Sequence, residues 1–240
     1  MGWTGLKTSR LRRRFSPRGT TVPELVCRTD LRGDPEADLT QVVAHLERDG
    51  VIAYPTETVY GFGSLLTPSA IRNVHELKAR ERAKPLIALV PSATSVEALA
   101  WTDEARELAS IFWPGAVTLV LRDPRGIFVE GVRSVDGTVA VRVSPQPIVE
   151  RLLERVGEPL TSTSLNEPGE EPARSGTEAR EVIERLGCGD VWLLDGGTLP
   201  ESGPSTIIDC TSGTPTVLRE GTVPVGRLRC VIPEIHANHP

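Results

Sequence analysis

The chain has 240 residues, 39% of them apolar, and a formal net charge of −5. This length allows one large domain or two small ones, and the composition is that of a globular protein with enough apolar residues to form a core. Six basic residues and no acid fall within residues 1–22, so the rest of the chain carries 21 basic against 32 acidic residues, which argues against a broad nucleic-acid-binding face.

Residues 1–34 are predicted to form a disordered basic extension. Up to about residue 22 they lack apolar periodicity and are rich in Arg, Ser, Thr and Gly, a composition that does not support a packed core. An artefact of start-codon choice, a mitochondrial transit peptide and an arm for weak contact with RNA are the alternatives. No stretch approaches the roughly 20 apolar residues of a membrane span, so we expect no membrane contact and a cytoplasmic location.

From residue 35 onwards the sequence predicts alternating helices and strands. A helix is expected over 35–49, and another begins at Thr67 as N-cap, followed by Pro68. Further helices are predicted over 102–111, where Thr102 can serve as the cap, and over 145–156 and 178–186. Strands are predicted over 51–54, 86–90, 116–121, 138–143, 159–163, 191–194, 205–209 and 216–219. This alternation predicts a single α/β domain over 35–224, with a twisted mixed sheet flanked by helices. A tail over 225–240 would be too short for an added C-terminal domain.

Three short segments each place two polar side chains at positions i and i+2. They are Thr56-Glu57-Thr58, Lys78-Ala79-Arg80 and Ser164-Leu165-Asn166. In extended backbone such pairs face the same side, so each pair can contact one ligand. The first segment lies in a loop expected to close at Gly61 and Gly63, beyond the carboxyl end of a strand, where open α/β sheets bind ligands. Together the three segments suit a small polar ligand attached to, or reacting with, a polyphosphate.

Standard motifs for nucleotides, metals and nucleophiles do not occur. The segment Gly61-Phe62-Gly63 lacks the third glycine of a dinucleotide fingerprint, and there is no Gly-Lys-Ser/Thr loop. The cysteines are too scattered for a zinc or redox site, at Cys27, Cys188, Cys210 and Cys230. The histidines have no nucleophile or carboxylate at a suggestive spacing, at His45, His75, His236 and His239. We therefore expect no metal held by the protein alone.

Seven segments follow one another at compatible spacing. They are Tyr54-Pro55-Thr56-Glu57-Thr58-Val59-Tyr60-Gly61, Lys78-x-Arg80, Lys84-Pro85-Leu86, Trp113-Pro114-Gly115-x-x-Thr118, Val139-Ala140-Val141-Arg142, Ser162-Thr163-Ser164-x-Asn166 and Ser205-Thr206-Ile207-Ile208-Asp209. Their order is that of the YrdC-like threonylcarbamoyl-AMP synthases, which the chain resembles over about residues 38–224. The resemblance implies a YrdC-like domain with an open ligand groove.

The resemblance also implies a reaction and its partners. The family condenses L-threonine, bicarbonate or CO2, and ATP to threonylcarbamoyl-AMP, with release of pyrophosphate. The product passes to a separate transferase that modifies adenosine beside the anticodon of certain tRNAs. Mg2+ is expected to accompany ATP.

Residue roles follow from the same resemblance. It assigns to ATP the residues Lys78, Arg80, Lys84, Thr138, Ser164, Asn166 and Arg219, of which Lys78 and Arg80 are the expected catalytic residues. It assigns to L-threonine the residues Thr58, Arg142, Ser162 and Ser205. Arg142 suits the amino-acid carboxylate, because a guanidinium fork makes two parallel hydrogen bonds. Glu57 is interpreted as orienting the loop or a magnesium-bound water, or as a solvated carboxylate.

Several positions depart from the usual family pattern. Leu165 stands where a small Ala is common, and Pro204 stands before Ser205 where many members have Glu. Pro168 with Glu170-Glu171 replaces a Ser-Gly-x-Pro segment and adds one residue, and Leu89 stands where some members have His. The changes around Leu165 bear on how the adenine or ribose is held, and Pro204 on the role of Ser205.

Two other functions are kept as alternatives. A related domain occurs in larger carbamoyltransferases that use carbamoyl-phosphate, but those carry an acylphosphatase-like region and zinc-finger cysteines that this sequence lacks. A non-catalytic RNA-binding module is the second alternative, and the acidic body argues against it.

Overall fold

The computed structural model describes residues 28–32, 37–78 and 84–237. In this part of the chain eleven strands form one sheet. The strands are β1 Arg28–Asp30, β2 Val51–Pro55, β3 Tyr60–Gly63, β4 Ile87–Leu89, β5 Val117–Arg122, β6 Thr138–Arg142, β7 Leu160–Ser164, β8 Val191–Asp195, β9 Thr206–Asp209, β10 Thr216–Arg219 and β11 His236–Ala237. The helices are α1 Thr40–Leu46, α2 Pro68–Leu77, α3 Asp103–Phe112, α4 Pro147–Val156, α5 Gly176–Arg185 and α6 Val225–Arg229.

The sheet is mixed, with the strand order β1-β8-β2-β3-β7-β4-β6-β5-β9-β10-β11. Parallel pairs such as β2–β8, β4–β6 and β5–β9 occur beside antiparallel pairs such as β2–β3, β3–β7 and β4–β7. The single α/β domain with a mixed sheet and flanking helices is therefore confirmed.

Two hydrophobic cores lie on opposite faces of this sheet. Along β2, Val51 and Ala53 join one core while Ile52 and Tyr54 join the other, because successive side chains of a strand point to opposite faces. Helices α2, α3 and α5 cover the first face, and α1 and α4 cover the second. Because β2 is buried on both faces, its sequence is a continuous apolar run.

Local capping fixes where several helices begin. The predicted N-caps Thr67 and Thr102 are confirmed, since their hydroxyls accept hydrogen bonds from the backbone N–H of Ala70 and Ala105. Helix α5 starts two residues earlier than predicted, because Ser175 caps it through the N–H of Glu178. Among the helices that the structure describes, none has the length and apolar composition needed to cross a membrane.

Residues 60–63 correct one prediction. The sequence predicted a loop closing at Gly61 and Gly63, whereas these residues form the buried strand β3. Glycine serves close packing here, because a Cβ at Gly63 would lie 2.5 Å from a ring atom of Tyr54. The pair of glycines therefore marks a strand pressed against its neighbours.

The ordered domain extends beyond the predicted limits. Arg28–Asp30, expected in the extension, pairs with β8. Residues 225–237, expected to be a tail, carry α6 and β11, and their Leu228, Ile232 and Ile235 are buried. The helix predicted over 35–49 is shorter in the structure, at Thr40–Leu46. Residues 35 and 36 of that predicted helix, and residues 1–27, 33 and 34 of the predicted extension, lie outside the described part of the chain.

Candidate active-site groove

A groove of about 310 Å³ opens over the middle of the sheet, beside β3, β7, β4 and β6. Its lining includes six of the residues expected to bind a ligand, which are Thr58, Arg142, Ser162, Ser164, Ser205 and Arg219. All four residues assigned to L-threonine are among them. The fold thus brings together side chains that lie far apart in sequence, in an open groove of the kind that the resemblance implied.

Strand register places these side chains on one face. Ser162 and Ser164 alternate along β7 and therefore point the same way. On the neighbouring strand β4, Ile87 lies opposite Ser162, and Arg142 ends the next strand, β6. Gly61 of β3 pairs with Ser164, and a Cβ there would lie 3.4 Å from the Ser162 hydroxyl oxygen. A glycine at this position keeps the groove floor open.

Arg142 is a deeply buried cation, with only 3% of its surface exposed. The Oε1 atom of Glu57 lies 3.4 Å from its Nη1 atom, while Glu57 Oε2 accepts a hydrogen bond of 2.5 Å from the Ser144 hydroxyl. Among the described residues, Arg142 Nε has no hydrogen-bond partner. A buried guanidinium that retains an unused donor favours an anionic ligand.

Thr58 presents a hydrogen-bond acceptor. The Thr56 hydroxyl donates to the Val59 carbonyl over 2.8 Å, so in its 2.9 Å contact with Thr58 the proton comes from Thr58. The lone pairs of Thr58 Oγ1 are then left to accept a donor from a ligand. An acceptor and a buried guanidinium in one groove match the ammonium or amine and the carboxylate of an amino acid.

Ser205 and Arg219 form the opposite wall. The Ser205 hydroxyl lies 2.9 Å from that of Thr118 on β5. Arg219 Nη2 donates to the Ser205 carbonyl over 2.8 Å, and its Nε does so over 3.3 Å. Both residues line the groove. In contrast to Arg142, Arg219 is exposed.

Lys78, which is buried, and Asn166, which is half-buried, form a hydrogen-bonded bracket beside the groove. The Lys78 ammonium donates to the carbonyls of Ser164 and Asn166 over 2.9 and 2.5 Å, and to Asn166 Oδ1 over 2.7 Å. The Asn166 amide nitrogen donates to the carbonyls of Glu167 and Glu170. These two predicted ATP ligands are not part of the groove lining, and they join the end of α2 to the end of β7.

The remaining predicted ATP residues lie apart from the groove lining or beyond the description. Lys84 is exposed and lies three residues before Ile87, the first residue of β4. Thr138 begins β6, at the end opposite Arg142, and its hydroxyl lies 2.8 Å from that of Ser134. Arg80 lies outside the described residues. Their assignment to ATP stays a prediction.

Sequence reasoning missed Ser144, and it named Thr118 and Thr56 without finding which site residues they contact. Ser144 fixes Glu57, Thr118 contacts Ser205, and Thr56 orients Thr58. Ser144 could have been found, because it lies two residues after Arg142, the same spacing that singled out the three polar pairs. Glu57 itself is largely buried, with 14% of its side chain exposed, so its interpretation as a solvated carboxylate is wrong.

The departures from the family pattern have structural counterparts. Leu165 is fully buried in the larger core. A bulky side chain is therefore accommodated between Ser164 and Asn166. Leu89 is also fully buried. Pro204 lines the groove, and its carbonyl accepts the N–H of Thr222 over 2.9 Å. The Glu170 carbonyl accepts from Asn166, so the added residue belongs to the turn that closes the bracket.

Burial keeps two thiols and one phenol of the described chain protonated. Burial raises the pKa of Cys210 to about 12 and also raises that of the half-buried Cys188, so both remain thiols near neutral pH. Burial likewise raises the pKa of Tyr54 to about 12, and its hydroxyl donates to the Thr161 carbonyl. Within the described residues no three His, Cys, Asp or Glu side chains lie together as a metal cage.

Two larger cavities lie elsewhere. One of about 640 Å³ sits where β2 and β8 begin, beside His45 and Cys188. The other, of about 380 Å³, is walled by Trp101 and Trp113, whose rings meet edge to face at 5.9 Å between centroids. Neither includes a predicted ligand residue in its lining, so convergence of polar groups, and not volume, identifies the candidate site.

The chain is thus a mixed α/β domain whose groove of hydroxyls around a buried guanidinium suits a small anionic or zwitterionic molecule. Residues 44–221, well over half of the chain, match the family of Sua5, YciO and YrdC, which carries the description telomere recombination. The chain belongs to this family.

Three relatives are named threonylcarbamoyl-AMP synthase. The protein of Bacillus subtilis is 30% identical over 213 residues, which are 88% of this chain and 61% of the relative. That of Pyrococcus abyssi is 36% identical over 83% of this chain and 58% of the relative. That of Marinobacter nauticus is 38% identical over 68% of this chain and 86% of the relative. The chain thus spans about three fifths of the length of the first two relatives.

Solved structures confirm the fold. Pyrococcus abyssi Sua5 complexed with L-threonine superposes with a TM-score of 0.79 at 29% identity, over 89% of this chain and 62% of that one. Escherichia coli YciO gives 0.69 at 29% identity, over 78% and 91%. HypF in its phosphate- and nucleotide-bound form gives 0.66 at 19% identity, a likeness of fold alone.

Proposed function

We propose that this domain is an L-threonylcarbamoyladenylate synthase, a nucleotidyltransferase. Its substrates are then L-threonine, bicarbonate or CO2, and ATP, and its products are threonylcarbamoyl-AMP and pyrophosphate. The observation that carries the proposal is the convergence of Thr58, Arg142, Ser162 and Ser205 in one groove. The names of the relatives and the L-threonine complex of Pyrococcus abyssi Sua5 support it.

The proposed reaction needs alignment more than a protein nucleophile. The threonine amine bonds to the carbon of CO2 and loses a proton, which gives a carbamate. A carbamate oxygen then bonds to the α-phosphorus of ATP, and the bond to the bridging oxygen breaks as pyrophosphate leaves. Holding the reactants in position can supply about 7–11 kcal/mol of the barrier. The protonated thiols of Cys188 and Cys210 are consistent with a path that has no covalent enzyme intermediate.

Arg142 is the proposed anchor of the threonine carboxylate, with Thr58, Ser162 and Ser205 around the rest of the amino acid. A carboxylate held by the guanidinium directs the amine back into the groove, where Thr58 offers an acceptor. This orientation would keep the amine lone pair available for CO2.

The phosphates are proposed to lie toward Arg219, which lines the groove, and toward the segment that holds Lys78, Arg80 and Lys84. Ser164, Asn166 and Thr138 would supply neutral contacts to the nucleotide. Mg2+ is proposed to come with ATP, bound chiefly by phosphate oxygens, where it would neutralise charge on the leaving pyrophosphate. A separate tRNA-modifying transferase in the cytoplasm would take the product.

The test is pyrophosphate release by the purified protein, with threonylcarbamoyl-AMP followed by mass spectrometry. Release that needs both L-threonine and bicarbonate, and that is lost in Arg142→Ala, is expected. Arg106→Ala is the matched control, because Arg106 pairs with Glu97 on the exposed surface. ATP turnover that ignores threonine, or that responds to carbamoyl-phosphate instead, would refute the synthase. Salt-sensitive RNA binding without turnover would favour the RNA-binding alternative.

A further inference from the structure

The contact between Glu57 and Arg142 has an unusual geometry for an ion pair at a binding groove. Glu57 Oε1 lies 3.4 Å from Nη1, and the described residues give this oxygen no hydrogen bond. A bidentate pair would occupy two guanidinium nitrogens at shorter distances. The carboxylate therefore lies beside the charge of Arg142 without using up its donors.

The donors left over form one edge of the guanidinium. Nε and Nη2 lie on the side away from Nη1, and Nε has no partner among the described residues although it is buried. A ligand carboxylate can bind this edge in the parallel two-bond geometry that guanidinium groups favour. Arg142 is part of the groove lining and Glu57 is not, so the carboxylate does not occupy the space that a ligand would take in the groove.

Glu57 is itself held in place. Its Oε2 atom accepts the Ser144 hydroxyl proton, and the Ser144 oxygen accepts the N–H of Gln146 over 3.2 Å. Ser144 is 2% exposed. Arg142 and Ser144 lie two residues apart at the end of β6, so the chain of contacts from Gln146 through Ser144 and Glu57 returns to the same strand. This closed path fixes the carboxylate relative to the guanidinium.

We propose that Glu57 is a positioning residue, which orients the Arg142 guanidinium so that its Nε–Nη2 edge receives the carboxylate of the amino-acid substrate. The inference rests on the proposed function for the identity of that substrate. The carboxylate of Glu57 has two opposing effects on ligand binding. Its charge holds the Arg142 guanidinium in place, but it also weakens the attraction of that guanidinium for an anionic ligand. Because the contact is long, the first effect is expected to outweigh the second.

The test compares Glu57→Gln with the wild-type protein. The amide keeps the size of the side chain and can still contact Ser144, but it carries no charge. We expect the KM for L-threonine to rise about tenfold, with kcat changed much less, because a guanidinium that is no longer held in position makes weaker hydrogen bonds to the carboxylate. Preference for L-threonine over L-threoninamide, which lacks the carboxylate, should fall by a similar factor. General damage to the fold would weaken both ligands alike.

Two further variants sharpen the result. Ser144→Ala keeps the Glu57 charge but removes what fixes it, and it should raise the KM for L-threonine by a smaller factor. Glu97→Gln makes the same change in the exposed pair with Arg106 and should leave the KM unchanged. If Glu57→Gln fails to fold, Glu57→Asp takes its place, since it keeps the charge while withdrawing the carboxylate from Nη1, and it should also lower the preference for L-threonine.

The outcomes separate the two proposals. A wild-type protein that binds no L-threonine refutes the proposed function and the role of Glu57 with it. A wild-type protein that binds L-threonine, together with a Glu57→Gln variant of unchanged or tighter binding and unchanged preference, refutes only the positioning role. Calorimetric titration of L-threonine makes this distinction even if turnover is not observed.

Discussion

The two sides of the groove hold their cations differently. Arg142 is buried, with a fixed carboxylate beside it, whereas Arg219 is exposed, as is Lys84 outside the groove lining. A buried guanidinium recognises the geometry of its ligand, because water does not screen it and its position is restricted. An exposed cation contributes mainly charge, and salt screens that contribution. The comparison suggests that the Arg142 side selects the amino acid and the exposed side attracts phosphates of many geometries.

Arg142→Lys should have the largest effect, since it keeps the charge and removes the fork. We expect a loss of about 100-fold in kcat/KM for L-threonine, because two hydrogen bonds to a charged group, each contributing about 1.5–3 kcal/mol, cannot both be replaced. Arg219→Lys is the matched control on the exposed side and should cost much less. Steady-state kinetics with L-threonine varied at saturating ATP would show both effects. Equal losses of kcat/KM in the two variants would contradict the idea that Arg142 recognises ligand geometry while Arg219 contributes mainly charge.

Lys78→Met tests whether Lys78 chiefly stabilises the fold or chiefly binds ATP. The change leaves two carbonyls and the Asn166 Oδ1 atom without their Lys78 donor, so we expect the free energy of unfolding to fall by about 1–3 kcal/mol. The KM for ATP should rise as well, because the end of β7 would shift. Urea denaturation followed by circular dichroism measures the first effect, and Lys84→Met, at an exposed position, should leave it unchanged. Weaker ATP binding at full stability would place Lys78 with the exposed phosphate cations.

Much of the fold could be predicted from periodicity and caps. The strands at 51–54, 138–143 and 191–194 and the caps Thr67 and Thr102 depend on local signals that tertiary packing did not override. The missed elements carried weaker signals. Strand β3 contains two glycines, which locally indicate a turn, and only the nearby Tyr54 ring explains them. Strands β1 and β11 are short and owe their pairing to neighbours distant in sequence.

The candidate site likewise contains residues that the sequence could identify and contacts that it could not. Alternate residues such as Ser162 and Ser164 could be identified locally, because the strand period fixes which way they point. Contacts across the fold could not. Glu57 and Ser144 are 87 residues apart in the chain, and Thr118 and Ser205 are also 87 apart. Nor could the sequence show that Lys78, one of the expected catalytic residues, is buried against carbonyls of β7 and its turn.

Lys84→Gln should have the smallest effect, and its salt dependence is the informative quantity. Lys84 is exposed, and exposed ion pairs contribute about 0–1 kcal/mol. We expect the KM for ATP to rise about threefold at low ionic strength and to approach the wild-type value at about 1 M salt, where the screening length falls to about 3 Å. The loss caused by Arg142→Lys should persist at the same salt concentration, because a buried pair is screened much less. A Lys84→Gln effect that resisted salt would show that this cation is held as firmly as Arg142, and the contrast between the two sides would then have to be abandoned.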